Sequence, residues 1–83
     1  MLADAIELLD RRYRLAVKTC ADEPNQILVQ AFAFWTLLQS EPRLAAAYDD
    51  VANICRREIE AYRERDAVLA RQLREIRIEL ARA

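Results

Sequence analysis

No glycine occurs anywhere in the 83 residues. Glycine supplies the positive φ of tight hairpin turns and lets backbone amides approach a phosphate group. A chain without it is poorly suited to a β-rich fold or a glycine-rich phosphate loop. Only two prolines interrupt it, Pro24 and Pro42. Ala, Leu, Arg and Glu dominate the rest and are all good helix formers. The predicted class is therefore all-α, in a single domain over residues 1–83, since a chain this short forms one thin core at most.

The two prolines divide the chain. Leu2 to about Cys20 carries apolar or semi-apolar residues at Leu2, Ile6, Leu9, Tyr13, Ala16 and Cys20. Steps of three and four make one helical stripe, a core face for a first helix over 2–20. Asp4, Glu7 and Asp10 precede Arg11, Arg12, Arg14 and Lys18, an order that suits the helix dipole. Ala21-Asp22-Glu23 is the first break. Asp22 or Glu23 can cap the next helix, and Pro24 fits its first turn.

Residues 24–39 form the second predicted helix. Pro24–Ser40 contains no charged residue, although 33% of the chain is charged, and it holds the only Trp and both Phe. One seam is Ile27, Ala31, Phe34 and Leu38; a second is Leu28, Phe32 and Trp35. Together they span an apolar arc of roughly 160°. The opposite side, Val29, Ala33 and Leu37 among Gln26, Gln30 and Thr36, is uncharged and only half polar. Such a surface suits burial against another part of the chain or against a partner.

Ser40-Glu41-Pro42 is the second break, with Ser40 a good N-cap. From Pro42 onward no Gly or Pro stops a helix. The apolar track runs Leu44, Tyr48, Val51, Cys55, Ile59, Tyr62, then Leu69, Leu73, Ile76, Leu80 and Ala83. A continuous third helix over 42–83 is the expected architecture: an antiparallel hairpin plus a long third helix of about 63 Å. Its outer half would leave the Leu69, Leu73, Ile76 and Leu80 seam bare, ready for a coiled-coil homodimer. The alternative is a break near Arg63–Asp66, with Asp66 capping a fourth helix that folds back. Glu58, beside Ile59, reads as a rim residue paired with Arg56, Arg57 or a neighbouring helix.

Net charge is −1, with 13 basic and 14 acidic residues. This argues against nucleic acid or an anionic membrane as the partner. The Arg-rich tail (Arg71, Arg74, Arg77 and Arg82) is interrupted by Glu75 and Glu79 and has no interleaved aromatic for base stacking. Met1–Leu9 carries Asp4 and Glu7 where a secretory signal needs an apolar core. The apolar run 27–38 is shorter than the ~20 residues of a membrane span. The cytoplasm is the expected location. Cys20 and Cys55 do not read as a disulfide framework. In a helical hairpin their offset along the axis is about 7.5 Å, beyond disulfide reach once helix separation is added.

Histidine is absent, which removes histidine-assisted nucleophilic catalysis and Glu-x-x-His di-metal sites. No catalytic, cofactor-binding or metal-ligating residue is expected. LLDRRYRLAV, residues 8–17, resembles the first-helix motif of small all-helical chorismate mutases, with Arg12 at the place of a substrate-binding arginine. The resemblance implies a dianionic substrate held by several cationic and polar groups. The lysine it calls for falls at Ala21, and Pro24 cuts the helix. FWTLLQSEPRLAAAYDDVANICRREIEAYRER, residues 34–65, is similar to the rhythm of ligand-binding domains in TetR-like repressors. That implies a helical pocket and a dimer interface; residues 1–33 carry no DNA-binding helix-turn-helix.

The function expected from sequence is a non-enzymatic module for protein–protein interaction, associating with itself or another protein. The expected contact residues are Val29, Ala33, Leu37, Leu69, Leu73, Ile76 and Leu80. Two other readings are a small-ligand-binding regulatory domain, with Phe32, Trp35 and Tyr48 near the pocket, and association with nucleic acid through the Arg-rich tail.

Overall fold

A computed structural model describes residues 2–82. Four α-helices account for most of them: α1 (Leu2–Thr19), α2 (Pro24–Gln39), α3 (Asp49–Glu64) and α4 (Ala67–Arg82), with a 3-10 segment, Pro42–Tyr48, before α3. No strand occurs among the described residues. None of these helices is long and apolar enough to cross a membrane.

The first two helices lie close to their predicted bounds. In α1 the predicted stripe supplies Ile6, Tyr13 and Ala16 to the core, joined by Val17. Leu9 and Cys20 pack on the core's edge. All four residues of the first α2 seam, Ile27, Ala31, Phe34 and Leu38, are buried. The second seam is not: Leu28 and Trp35 are half-buried, and Phe32 is 49% exposed. Glu23 occupies the N-cap position of α2 but makes no side-chain cap bond, and Pro24 follows in the first turn.

The second half of the chain departs from the expected long helix in three places. Ser40 caps the end of α2 instead of starting a helix: its N–H and hydroxyl both donate to the Leu37 carbonyl. Residues 42–48 wind more tightly, as a 3-10 segment. Tyr48 at its end meets Phe34 edge-to-face, with ring centroids 5.9 Å apart, a favoured aromatic arrangement. The third departure is decisive. The chain turns at Arg65, which takes a left-handed conformation (φ 50°, ψ 42°). The Asp66 N–H donates to the Ala61 carbonyl and the Arg65 N–H to that of Tyr62. This pair of bonds is a Schellman motif, a turn that usually has glycine at the left-handed position. Asp66 then caps α4, its Oδ1 accepting the Leu69 N–H at 3.0 Å. The alternative break near Arg63–Asp66 is thus the observed one, and the continuous 42–83 helix is corrected to the 3-10 segment plus two helices of 16 residues.

Folding back places α4 against α3 and α1, while α2 packs between α1 and α3. Val51, Ala52 and Cys55 of α3 complete the central cluster. Leu73 is 1% exposed, and Leu80 packs against the cluster's edge. The seam expected to be bare for a second chain is therefore largely used within this one. Cys20 and Cys55 are both free thiols.

Candidate functional site

Two features stand out once the helices are placed: a buried ion pair and an uncovered apolar groove. The ion pair joins three helices. Glu58 of α3 is 4% exposed. Its carboxylate receives the Tyr13 hydroxyl of α1 at 2.8 Å and the Arg77 Nε of α4 at 2.7 Å. A second bond runs from Arg77 Nη2 to the other carboxylate oxygen, so the pairing is two-pronged. Glu58 is thus buried and not on the rim; of its expected partners, the one from a neighbouring helix is observed, Arg77 of α4, and Arg56 pairs instead with Glu60 at 2.6 Å.

The surroundings set the protonation states. Burial, followed by the Glu58 charge, pushes the Tyr13 phenol well above its ordinary value. Burial pushes up the Cys55 thiol as well, and the nearby Glu58 charge adds to it. For Arg77, burial opposes the charge, but hydrogen bonding and attraction to Glu58 outweigh it, and its pKa rises. The network joins a neutral Tyr13 phenol and the Arg77 guanidinium to Glu58, with no buried side-chain polar atom left unpartnered among the described residues. Cys55 is held as a thiol beside it, an environment that suppresses nucleophilic reactivity. These contacts tie α1, α3 and α4 together.

The groove lies between α2 and α3, with a volume of about 460 Å³. Leu28, Val29, Phe32 and Ala33 form one wall, and Ile59, Tyr62 and Arg63 the other. Val29 is 59% exposed and Tyr62 67%. The groove has a sequence cause. The apolar arc of α2 is broader than its contacts with α1 and α3 cover, so its Leu28/Phe32 edge is left over and runs into the uncharged back at Val29 and Ala33.

The expected contact residues separate accordingly. Val29 and Ala33 line the groove. Leu37 is half-buried against the core instead. Leu69, Ile76 and Leu80 are half-buried on α4, and Leu73 is buried. Phe32, Leu28 and Tyr62 belong to the groove although the sequence reading placed them on core-facing tracks. A signal was present: Val29, Phe32 and Ala33 are spaced i, i+3, i+4 and share one helix face.

The three aromatics proposed around a ligand pocket are not gathered. Phe32 borders the groove, whereas Trp35 and Tyr48 pack against the central cluster and do not line it. Arg12 is exposed and borders a shallow depression of about 280 Å³ in which it is the only charged residue, unlike a site for a dianion. No group of His, Cys, Asp or Glu suited to a metal ion occurs among the described residues.

Searches against protein-family models, curated proteins and solved structures return no significant match. Neither the chorismate mutase nor the TetR-like resemblance gains support from them.

Proposed function

We infer that the chain is a protein-interaction module that forms a homodimer through the α2/α3 groove face. The observation carrying this reading is the apolar strip of exposed Val29 and Phe32 with half-buried Ala33, on a helix with no charged residue, continued by exposed Tyr62 of α3. Apolar surface of this kind gains free energy when it leaves water.

A second copy is the occupant that the chemistry favours. In a two-fold interface each residue near the axis meets its own counterpart. Charged residues there would face like charges, but α2 has none. Of the polar residues on its back, Gln26 and Gln30 border the depression beside α1, which leaves Thr36, and an amide or hydroxyl can both donate and accept. Such groups are compatible with copies of themselves. Arg63 at the groove's edge is exposed and can stay on a solvated rim. This relocates the self-association expected at the tail seam, where Leu73 is occupied internally.

Two free cysteines, one of them buried, fit a reducing compartment such as the cytoplasm. Light scattering on the purified chain at micromolar concentration tests the reading. A dimer is expected, and Phe32→Asp should convert it to a monomer of unchanged helicity. A fully helical wild-type monomer at those concentrations would overturn self-association. A dimer indifferent to Phe32→Asp would overturn the assigned face.

A further inference from the structure

A second cleft, of about 490 Å³, opens between the end of α1 and α4. Its apolar part is Val17, Ala21, Ile78 and Ala81; its charged part is Lys18, Arg74, Arg77 and Arg82. The chain has one more acidic than basic residue overall, yet no Asp or Glu lines this cleft. Arg77 is committed to Glu58. Lys18, Arg74 and Arg82 have no ion pair among the described residues.

Helix ends explain part of this. Lys18 and Arg82 lie in the last turns of their helices, where a cation complements the carbonyl end of the dipole. That does not account for Arg74, nor for Ile78, which stays 46% exposed midway between Arg74 and Arg82 on α4. Four residues make about one turn, so the order along one face is cation, apolar, cation. Lys18 and Val17 supply the same combination from α1.

We propose that this cleft binds a small anionic amphiphile, a single phosphate, sulfate or carboxylate head on a short apolar body. The cations of Lys18, Arg74 and Arg82 serve the head, and Val17, Ile78 and Ala81 cover the body. The volume lies in the range of small-molecule sites, which run from about 300 to 1,000 Å³. A bare inorganic anion would leave the apolar wall unused. A nucleic acid strand would find no aromatic platform here, and the Arg77 pairing with Glu58 removes one cation from the tail's stripe.

The test uses the full chain and three probes followed by calorimetry: octyl phosphate below its micelle-forming concentration, inorganic phosphate, and octanol. Octyl phosphate should bind saturably at one site, at least tenfold more tightly than either of the other two. The double variant Lys18→Gln/Arg74→Gln should weaken it at least tenfold, and Ile78→Ser should weaken it severalfold, while the charge control Arg43→Gln, on the 3-10 segment and outside the cleft lining, leaves it unchanged. Helicity is checked by circular dichroism. Should the double variant not fold, Arg82→Gln, at the end of α4, replaces it. Absence of saturable binding, equal affinity in the cleft variants, or inorganic phosphate binding as tightly as octyl phosphate would each overturn the proposal. So would binding of an oligothymidylate through Lys18 and Arg74 by a chain that ignores octyl phosphate.

Discussion

Arg77 grips both carboxylate oxygens of Glu58 across the α3–α4 turn, 19 residues apart in sequence. Glu58 is buried and Arg77 half-buried, and the carboxylate also holds the Tyr13 hydroxyl. A buried pair of this kind offsets a large desolvation cost and adds little net stability, but losing one partner strands the other charge. Arg77→Met should therefore destabilise the fold by about 3–5 kcal/mol. The triple replacement Tyr13→Phe, Glu58→Leu, Arg77→Met should recover most of that loss. Urea midpoints of the two variants check the pattern; equal losses in both would show that the cost lies in packing and not in the stranded charge.

Alkaline pH should weaken the fold through Tyr13 and Cys55. Both are held protonated in the folded state, whereas in the unfolded chain they ionise near their ordinary values, about 10 and 8.5. Above those values the unfolded state binds fewer protons, so unfolding stability falls as pH rises. Full stability is expected below about pH 8, with a decline of at most about 1.4 kcal/mol per pH unit for each group beyond its ordinary pKa. Tyr13→Phe should flatten the decline above pH ~10, read as urea midpoint against pH.

Arg65 holds a left-handed conformation that costs a non-glycine residue about 1–2 kcal/mol. Its side chain is exposed, so little packing is lost on replacement. Arg65→Gly should stabilise the chain by up to about 1 kcal/mol, the relief being partly offset by the flexibility glycine adds to the unfolded chain. For a domain of this size that is a rise in Tm of about 4–8 °C. A lower Tm would mean that the Arg65 side chain does more than occupy the turn.

Leu73 and Phe32 should respond to charge in opposite ways. Leu73→Asp places a carboxylate in the core between α3 and α4 and should unfold the chain, since an unpaired buried charge is costly. Leu73→Ala, a milder change, should cost about 2–5 kcal/mol. Phe32→Asp should leave the circular dichroism spectrum intact. Helicity retained in Leu73→Asp would contradict the folded-back α4.

Much of the first half of the fold was legible because its boundaries are marked chemically. Pro24 stands at the start of α2, and the 3–4 spacing of Ile6, Tyr13, Ala16 and of Ile27, Ala31, Phe34, Leu38 names the buried faces directly. The second half lacked such marks. At the α3–α4 turn the sequence has arginine where glycine is usual, and only Asp66 hinted at a cap. What favours the bend is distant: burial of Leu73 and the Glu58–Arg77 bond, neither visible in a local window. The same reason hid Glu58, whose burial depends on a partner supplied by a helix whose local sequence does not show that it folds back. For the groove, Val29 and Ala33 were legible from the missing charge on α2. Phe32 shares their face by its spacing, but its exposure and that of Tyr62 were not legible, because periodicity marks an apolar face without saying how much of it the neighbouring helices cover.

The uncharged surface of α2 also sorts the chain's two candidate contacts by ionic strength. Ion pairing at the Lys18/Arg74/Arg82 cleft is screened as salt rises, with a Debye length of about 10 Å at 0.1 M and 3 Å at 1 M. Contact through Val29, Phe32 and Ala33 has no charge to screen, and sulfate or phosphate salts strengthen burial of apolar surface. A titration in ammonium sulfate should therefore hold or tighten the dimer while releasing an amphiphile from the cleft. One chain would then carry two contacts of opposite salt response, set by the confinement of every charge to residues outside Pro24–Ser40.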